Sequence, residues 1–250
     1  MSKTFVFRCR NGFANRFFNI INMIFLKEMF PNGKFIIEWF NNKHCHVEIQ
    51  SVIDPKFYSF AKIRHNTQPI KNERWASTSS LYISPWDDIE YWKKFNTIVS
   101  LSWQIFRFVP LKWVEKCVKN IFKNPTTHVK EQLNKIISEN QSLINNPIIH
   151  IRSGDLLEIL GKEFKKNIQK CIETAKNNNI NVWQYKKLVV NRQGENVISA
   201  VAELIFFSNH CNLVGFCPFS TFSSLIFINC PKFKPEIPFN KTDHKFYWIE

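Results

Sequence analysis

The feature that most constrains the fold is a strand, turn and helix pattern near the start of the chain. Residues 3–8 (KTFVFR) predict a short strand, and Asn11-Gly12 then predicts a turn. Apolar residues recur at near-helical spacing over 13–29, and residues 34–39 (KFIIEW) predict a second strand. A strand, helix and strand in this order predict a parallel βαβ unit.

The second half of the chain repeats this alternation. It begins with the apolar run 147–152 (PIIHIR), which has the composition of a buried strand. Further predicted helices cover 113–122, 127–140, 163–178, 195–208 and 220–228, with an acidic helical turn at 87–94; further strands cover 81–84, 97–101, 180–183, 187–190 and 212–216. The pattern predicts an α/β protein with two small doubly wound lobes, residues 1–125 and 126–250, divided after Asn124-Pro125. Residues 41–74 favour neither helix nor strand.

Composition excludes several classes of protein. The chain has 250 residues, 44% of them hydrophobic and 15% aromatic, so it is not a disordered tail. Its longest apolar-rich stretch, residues 17–26, contains two asparagines and is too short to span a bilayer. We therefore expect a soluble, cytoplasmic protein without stable membrane insertion. The seven cysteines form no CxxC pair, which favours reduced buried thiols over zinc ligands or disulfides.

The net charge of +14 predicts a surface that attracts polyanions, nucleotides or acidic membrane surfaces, and charge alone does not choose among them.

The first candidate site is the segment 10–16 (RNGFANR), where a predicted strand turns into a helix. Gly12 permits a tight turn, and the free N–H groups of the new helix, with Arg10 and Arg16, suit an anion. A helix start that carries surface arginines explains the same residues. The segment lacks the GxGxxG dinucleotide fingerprint.

The second candidate site, His150-Ile151-Arg152-Ser153-Gly154-Asp155, follows the apolar strand of the second half. Ligands collect at the carboxyl ends of parallel strands, and an arginine binds a diphosphate through two parallel charged hydrogen bonds. Alternatively, Arg152 and Asp155 form a structural ion pair, and His150 is a core histidine.

The third candidate site, Cys217-Pro218-Phe219-Ser220-Thr221-Phe222-Ser223-Ser224, lies between a predicted strand and a predicted helix. Its hydroxyls and first N–H groups are donors for phosphate or ribose oxygens. Ordinary helix capping by Ser220 accounts for the pattern equally.

Taken in this order, the three segments resemble the sugar-nucleotide site of the fucosyltransferase superfamily that includes α1,2-, α1,6- and protein O-fucosyltransferases. Gly12-Phe13-Ala14-Asn15-Arg16 approximates the family pattern G-x-G-N-[RQ], although Ala14 replaces the second glycine. His150-Ile151-Arg152 with Asp155 matches H-x-R, and Ser220-Thr221-Phe222-Ser223 matches S-[ST]-F-S.

The resemblance implies a GT-B fold, in which two Rossmann-like lobes with parallel sheets face each other across a cleft. It also implies an inverting transfer of fucose from GDP-fucose to a glycan hydroxyl, without a metal or other cofactor. The amino lobe would face the acceptor and the carboxyl lobe would bind the nucleotide sugar.

The resemblance assigns roles to individual residues. Arg152 would hold the β-phosphate of the departing GDP, and Asn15 and Arg16 would reach toward the donor from the other lobe. The remaining donor-binding residues would be Gly12, His150, Asp155, Ser220, Thr221, Phe222 and Ser223. A general base would come from the few carboxylates of the amino lobe, and Glu38 and Asp87 are the two that we expect to face a cleft.

Other functions stay open. Residues 180–187 offer Asn181 and Gln184 but no carboxylate to bind guanine, so a donor with another sugar, or with UDP or dTDP, fits as well. A basic module that binds nucleic acid is the competing class, motivated by charge and aromatic content, but the basic residues are dispersed. A catalytically silent relative that binds a nucleotide or a glycan is the third. The oligomeric state is not readable from the sequence.

Overall fold

The computed structural model of the chain has two units, one with a parallel sheet and the other with a mainly parallel sheet. The first unit comprises Met1–His128 and Arg192–Ile198, and the second comprises Val129–Asn191 and Ser199–Glu250. The predicted boundary after residue 125 lies three residues before the division after His128. The prediction also placed Arg192–Ile198 in the second lobe, whereas this segment belongs to the first unit. The residues that the structure describes are 3–10, 12–42, 45–65, 74–76, 89–92, 95–100, 105–106, 108–151, 161–184, 194–216, 225–226, 228 and 247–248.

The first unit contains a five-stranded parallel sheet in the order β3-β2-β1-β5-β4. Its strands are β1 (Thr4–Cys9), β2 (Lys34–Trp39), β3 (Ala61–Arg64), β4 (Arg74–Ala76) and β5 (Thr97–Ser100). Its helices are α1 (Phe13–Met29), α2 (Ile49–Val52), α3 (Ile89–Trp92) and α4 (Leu111–Lys123), with a 3-10 turn at Pro55–Phe57. The first two strands and α1 form the βαβ unit predicted from the sequence, which is confirmed.

Helix α1 packs on the sheet through polar as well as apolar side chains. Asn19 and Asn22, which interrupt the apolar run, are both buried. The Asn19 side-chain oxygen accepts a hydrogen bond from Ser100 Oγ at 3.2 Å, and the Asn22 oxygen accepts one from the Phe106 N–H at 3.0 Å. The two asparagines therefore join α1 to β5 and to the segment that follows it.

Helix α4 buries one side against α1. Val114, Val118, Ile121 and Phe122 are its buried residues. The Phe122 ring lies 5.5 Å from the Phe17 ring of α1. At the other end of the contact, Trp113 Nε1 donates a hydrogen bond of 2.9 Å to the Glu28 carboxylate. The opposite side of α4 is exposed.

The second sheet has the order β7-β6-β8-β9, and only β9 runs antiparallel to its neighbour among the described strands. Its strands are β6 (Pro147–Ile151), β7 (Asn181–Gln184), β8 (Asn212–Phe216) and β9 (Tyr247–Trp248). The remaining helices are α5 (Thr127–Glu139), α6 (Gly161–Asn177) and α7 (Gly194–His210), with a 3-10 turn at Gln141–Leu143. The strands predicted at 81–84 and 187–190 lie outside the described residues, as does most of the helix predicted at 220–228.

Two asparagines with left-handed backbone precede strands of the second sheet. Asn145 has φ 60° and comes two residues before β6, and Asn179 has φ 55° and comes two residues before β7. The Asn145 N–H donates a hydrogen bond of 2.8 Å to the carbonyl of His210 at the end of α7. Asparagine tolerates this conformation better than most non-glycine residues do.

Candidate functional site

The first candidate site lies where β1 ends and α1 begins. Gly12 is the N-cap residue of α1, with φ −59° and ψ 163°, and as a glycine it has no side chain with which to cap the helix. The first turn contains no acidic side chain. The first turn of this 17-residue helix lies at the carboxyl edge of the sheet, and the N–H groups of a helix start favour an anion there.

Arg10 supplies an exposed positive charge at this helix start. Its guanidinium carbon lies 4.7 Å from the centre of the Phe40 ring, which follows β2. Its main-chain carbonyl accepts a hydrogen bond of 2.6 Å from the Asn42 side-chain amide. The backbone of Arg10 is thus held in place, while its side chain remains open to solvent.

Asn15, in the first turn of α1, carries a polar atom with no internal role. The residue is half-buried, and its side-chain oxygen is buried without a hydrogen-bond partner among the described residues. A buried amide oxygen without a partner costs free energy. Such an atom is a candidate for a bond with a ligand.

Arg16 corrects the expectation that it reaches a phosphate. Its side chain is fully buried, at 0% exposure, and its guanidinium carbon lies 4.8 Å from the centre of the Trp39 ring. Its Nη2 donates hydrogen bonds to the Asn42 side-chain oxygen at 3.2 Å and to the Arg10 carbonyl at 3.4 Å. Arg16 therefore positions the segments that follow β1 and β2, because no surface of its side chain is accessible to a ligand in this conformation.

Two thiols influence this guanidinium electrostatically. Cys9 and Cys45 are fully buried, and burial raises the pKa of Cys9 to about 12, while the Arg16 charge acts in the opposite direction. Burial likewise lowers the pKa of Arg16, although an arginine remains charged at neutral pH. A thiol with so high a pKa stays protonated and is a poor nucleophile.

Glu38 also departs from the prediction. We expected this carboxylate to face a cleft as a general base, but its side chain is fully buried, with an Oε2 atom 2.6 Å from the Nε of Arg8. The two residues are direct partners in the parallel register of β1 and β2. The ion pair follows from that register, and it places Glu38 inside the protein.

His150 lies in β6, where it pairs with Trp183 of β7 and Phe216 of β8. It is buried at 6% exposure, and its ring lies 5.5 Å from the Phe207 ring of α7. The imidazole therefore packs between β6 and α7, which agrees with the interpretation of His150 as a core histidine.

The other predicted site residues lie outside the described residues. They are Arg152, Asp155, Ser220, Thr221, Phe222, Ser223 and Asp87. Among the predicted site residues, the structure therefore describes five: Gly12, Asn15, Arg16, Glu38 and His150. Within the described ranges, no three His, Cys, Asp or Glu side chains are grouped so that they could hold a metal ion, and no helix has the length and hydropathy needed to cross a bilayer.

Glu203 is a titratable residue that the sequence analysis did not single out. It lies half-buried in α7, and burial raises its pKa from an ordinary 4.5 to about 7. It forms no hydrogen bond or ion pair with any described residue. The signal in the sequence is a lone carboxylate within the apolar run 197–207 (VISAVAELIFF).

The fold resembles that of solved GT-B fucosyltransferases, and this confirms the α/β fold class and the fucosyltransferase-like fold predicted from the sequence. No protein-family model and no curated protein matches the sequence. The likeness to solved structures therefore concerns the fold.

Three solved structures illustrate that likeness. A mutant of Arabidopsis thaliana FUT1 in complex with GDP is 12% identical with a TM-score of 0.55, over 92% of this chain and 68% of that one. The NodZ alpha-1,6-fucosyltransferase co-crystallised with GDP is 12% identical with a TM-score of 0.54, over 92% of this chain and 93% of that one. Fucosyltransferase NodZ from Bradyrhizobium is 13% identical with a TM-score of 0.53, over 92% and 94% of the two chains.

Proposed function

We propose that this protein is a glycosyltransferase that moves fucose from GDP-fucose to a hydroxyl group of a glycan. The observation that carries the proposal is the likeness over 92% of the chain to fucosyltransferases whose structures were solved with GDP or soaked with GDP-fucose. The three ordered segments that resemble the donor site of that superfamily add support. A donor with another nucleotide or sugar is the alternative, since residues 180–187 offer no carboxylate that would bind guanine.

The first unit would contribute polar groups to donor or acceptor binding. The first N–H groups of α1 and the exposed Arg10 guanidinium would favour an anionic group, and the Asn15 oxygen would accept a hydrogen bond from a substrate hydroxyl. Arg16 and Asn42 hold the segment around residue 10 in position. The binding groups thus rest on a buried framework, which limits the reorganisation needed at the moment of reaction.

The second unit would contribute Arg152 to the chemical step. The acceptor oxygen attacks the anomeric carbon, the bond from that carbon to the diphosphate oxygen breaks, and the diphosphate leaves with the electron pair. Negative charge grows on the leaving group, so a fixed guanidinium stabilises the transition state more than the ground state. The acceptor proton passes to a general base. Because Glu38 is buried and paired, Asp87 is the remaining candidate among the two predicted bases.

Nucleotide-dependent thermal stability tests the donor assignment. We expect GDP and GDP-fucose to raise the melting temperature of the full chain, and UDP and dTDP to leave it unchanged. Arg152→Ala should abolish the GDP shift. Lys176→Ala, which removes the same charge from an exposed position on α6, should retain it. Stabilisation by UDP alone would refute the assignment.

Transfer activity tests the enzymatic step separately. With a fucose acceptor, Arg152→Ala should lower kcat by roughly 10²–10³-fold, as expected for the loss of one transition-state donor. If the protein bound GDP but transferred fucose to none of the acceptors, the proposal of catalysis would be wrong. The protein would then be a catalytically silent relative that binds a nucleotide.

Asn15→Ala tests the unpartnered amide. The substitution removes a buried oxygen without a partner and no hydrogen bond to a described residue, so we expect the free energy of unfolding to stay the same or to rise by about 1 kcal/mol. We expect kcat/KM to fall by about 10-fold, because one hydrogen bond to the substrate is lost. Asn134→Ala, on the exposed side of α5, is the matched control. A loss of stability without a loss of kcat/KM would assign Asn15 a structural role instead.

A further inference from the structure

The strongest unassigned feature of the first unit is a row of lysines on α4. Lys112, Lys116, Lys119 and Lys123 are all exposed. With 3.6 residues per turn, these positions fall within about 60° of one another around the helix, and they span about 16 Å along it. We call this row the lysine face. It lies opposite the buried residues Val114, Val118 and Ile121.

The lysine face has no neutralising partner within the described part of the chain. None of its four ammonium groups forms an ion pair or hydrogen bond with a described residue. Glu115 lies at the edge of the row and is half-buried. Lysines three and four residues apart on a helix repel each other, so the row destabilises α4 in isolation. An external anion that meets all four charges would remove that repulsion.

We propose that the lysine face docks the protein on a membrane surface that contains anionic lipids. Binding to a flat anionic surface requires only a row of positive point charges, and the lysine ammonium groups supply these charges. The apolar side of α4 is already buried in the protein, so the helix has no apolar face to insert. Docking is therefore electrostatic and reversible, and it does not depend on the proposed transferase activity.

A membrane surface fits the lysine face better than a nucleic acid does. Sites for single strands combine a basic groove with stacking aromatic rings and arginines. The lysine face lies on the exposed side of a single helix, not in a groove, and contains no arginine. The aromatic residues of α4 lie elsewhere, with Trp113 hydrogen-bonded to Glu28 and Phe122 buried against Phe17.

Vesicle sedimentation with the full chain tests the proposal. The probes are vesicles of phosphatidylcholine alone and of phosphatidylcholine mixed with phosphatidylglycerol. We expect binding to the mixed vesicles only, and its loss when salt is raised to about 0.5 M. Each lysine near an anionic surface strengthens binding by about 5-fold, so the variant Lys112→Gln/Lys116→Gln/Lys119→Gln/Lys123→Gln should bind about 600-fold more weakly.

A charge-matched control separates a docking surface from general charge. The variant Lys130→Gln/Lys135→Gln/Lys170→Gln/Lys176→Gln removes four exposed lysines from α5 and α6. We expect it to bind the mixed vesicles at least 10-fold more tightly than the lysine-face variant does. Arginine at the four lysine-face positions should retain binding. Retention of the wild-type melting temperature, measured without nucleotide, shows that each variant is folded.

Three results would overturn the proposal. The first is an equal loss of vesicle binding in the two glutamine variants. The second is equal binding of the wild-type protein to both kinds of vesicle. The third is binding of a fluorescent single-stranded oligonucleotide that depends on the lysine face, without binding to vesicles. None of these readouts uses GDP or transfer activity, so the outcome does not depend on whether the proposed function holds.

Discussion

The two units bury glutamates in different ways. In the first unit, Glu38 on β2 lies 2.6 Å from the Arg8 guanidinium on β1, and both side chains are buried. In the second unit, Glu203 on α7 forms no ion pair or hydrogen bond with a described residue, and burial raises its pKa to about 7. One carboxylate is neutralised by a cation, and the other is neutralised by a proton at low pH.

This difference follows from the surrounding sequence. The parallel register brings Arg8 and Glu38 side by side on the same face of the sheet, so the charge of one offsets the desolvation of the other. Glu203 lies between Ala202 and Leu204 in a helix rich in buried apolar residues. The stability that the second arrangement contributes therefore depends on pH.

The largest expected effect comes from breaking the ion pair. Glu38→Gln leaves the Arg8 charge buried without its partner carboxylate, and Arg8→Met does the reverse. Each should lower the free energy of unfolding by about 3–5 kcal/mol, measured by urea denaturation. The double variant should lose less than the sum of the two. Strict additivity in this cycle would show that the two side chains do not stabilise each other.

A smaller effect is expected at Glu203, and it depends on pH. The pKa of this carboxyl is higher in the folded chain than in the unfolded chain, so the folded state holds the proton more tightly. The stability that protonated Glu203 contributes to the folded state is fully present below about pH 4.5, and it is lost as the pH rises toward 7. Glu203→Gln keeps the shape and removes the titration. It should raise the free energy of unfolding at pH 8 by about 1–3 kcal/mol and leave it nearly unchanged at pH 4. If the free energy of unfolding changed with pH in the same way in the wild-type protein and in Glu203→Gln, the pKa of Glu203 would not be raised in the folded chain.

The smallest effect concerns the framework around Arg16. Arg16→Lys retains the charge but loses the hydrogen bonds from Nη2 to Asn42 and to the Arg10 carbonyl, and it should cost about 1–2 kcal/mol of unfolding free energy. Arg10→Lys changes an exposed side chain and should alter stability by less than about 0.5 kcal/mol. Equal effects of the two substitutions would remove the distinction between a buried positioning arginine and an exposed binding one.

Much of the secondary structure follows from the sequence. The bounds of β2 and β8 are predicted to the residue, and α1 is predicted from the helical spacing of apolar residues over 13–29 and its end before Pro31. Strands β3 and β4 were not predicted, since AKIR and RWA are short and half polar. Their place in the sheet comes from pairing with β2 and β5, which are distant in the sequence.

The position of the candidate site was predictable from the sequence, but the burial and pairing of its side chains were not. The helix start at Gly12 and the segment around it were found from the turn and the strand before it. A charged residue is expected at the surface, so the sequence did not predict that Arg16 and Glu38 are buried. The partner of each belongs to another segment of the chain, and only the register of β1 and β2 brings Arg8 to Glu38.

The left-handed residues before β6 and β7 have a consequence for this glycine-poor chain, which has 6 glycines in 250 residues. At Asn145 and Asn179 an asparagine fills a place where glycine is common, and it restricts the unfolded chain more than glycine does. A change to glycine at either position keeps the reversal of direction before the strand. A change to valine or isoleucine forces a strained backbone at the point where the strand must begin, so mutational tolerance at these two turns is set by backbone shape and not by polarity.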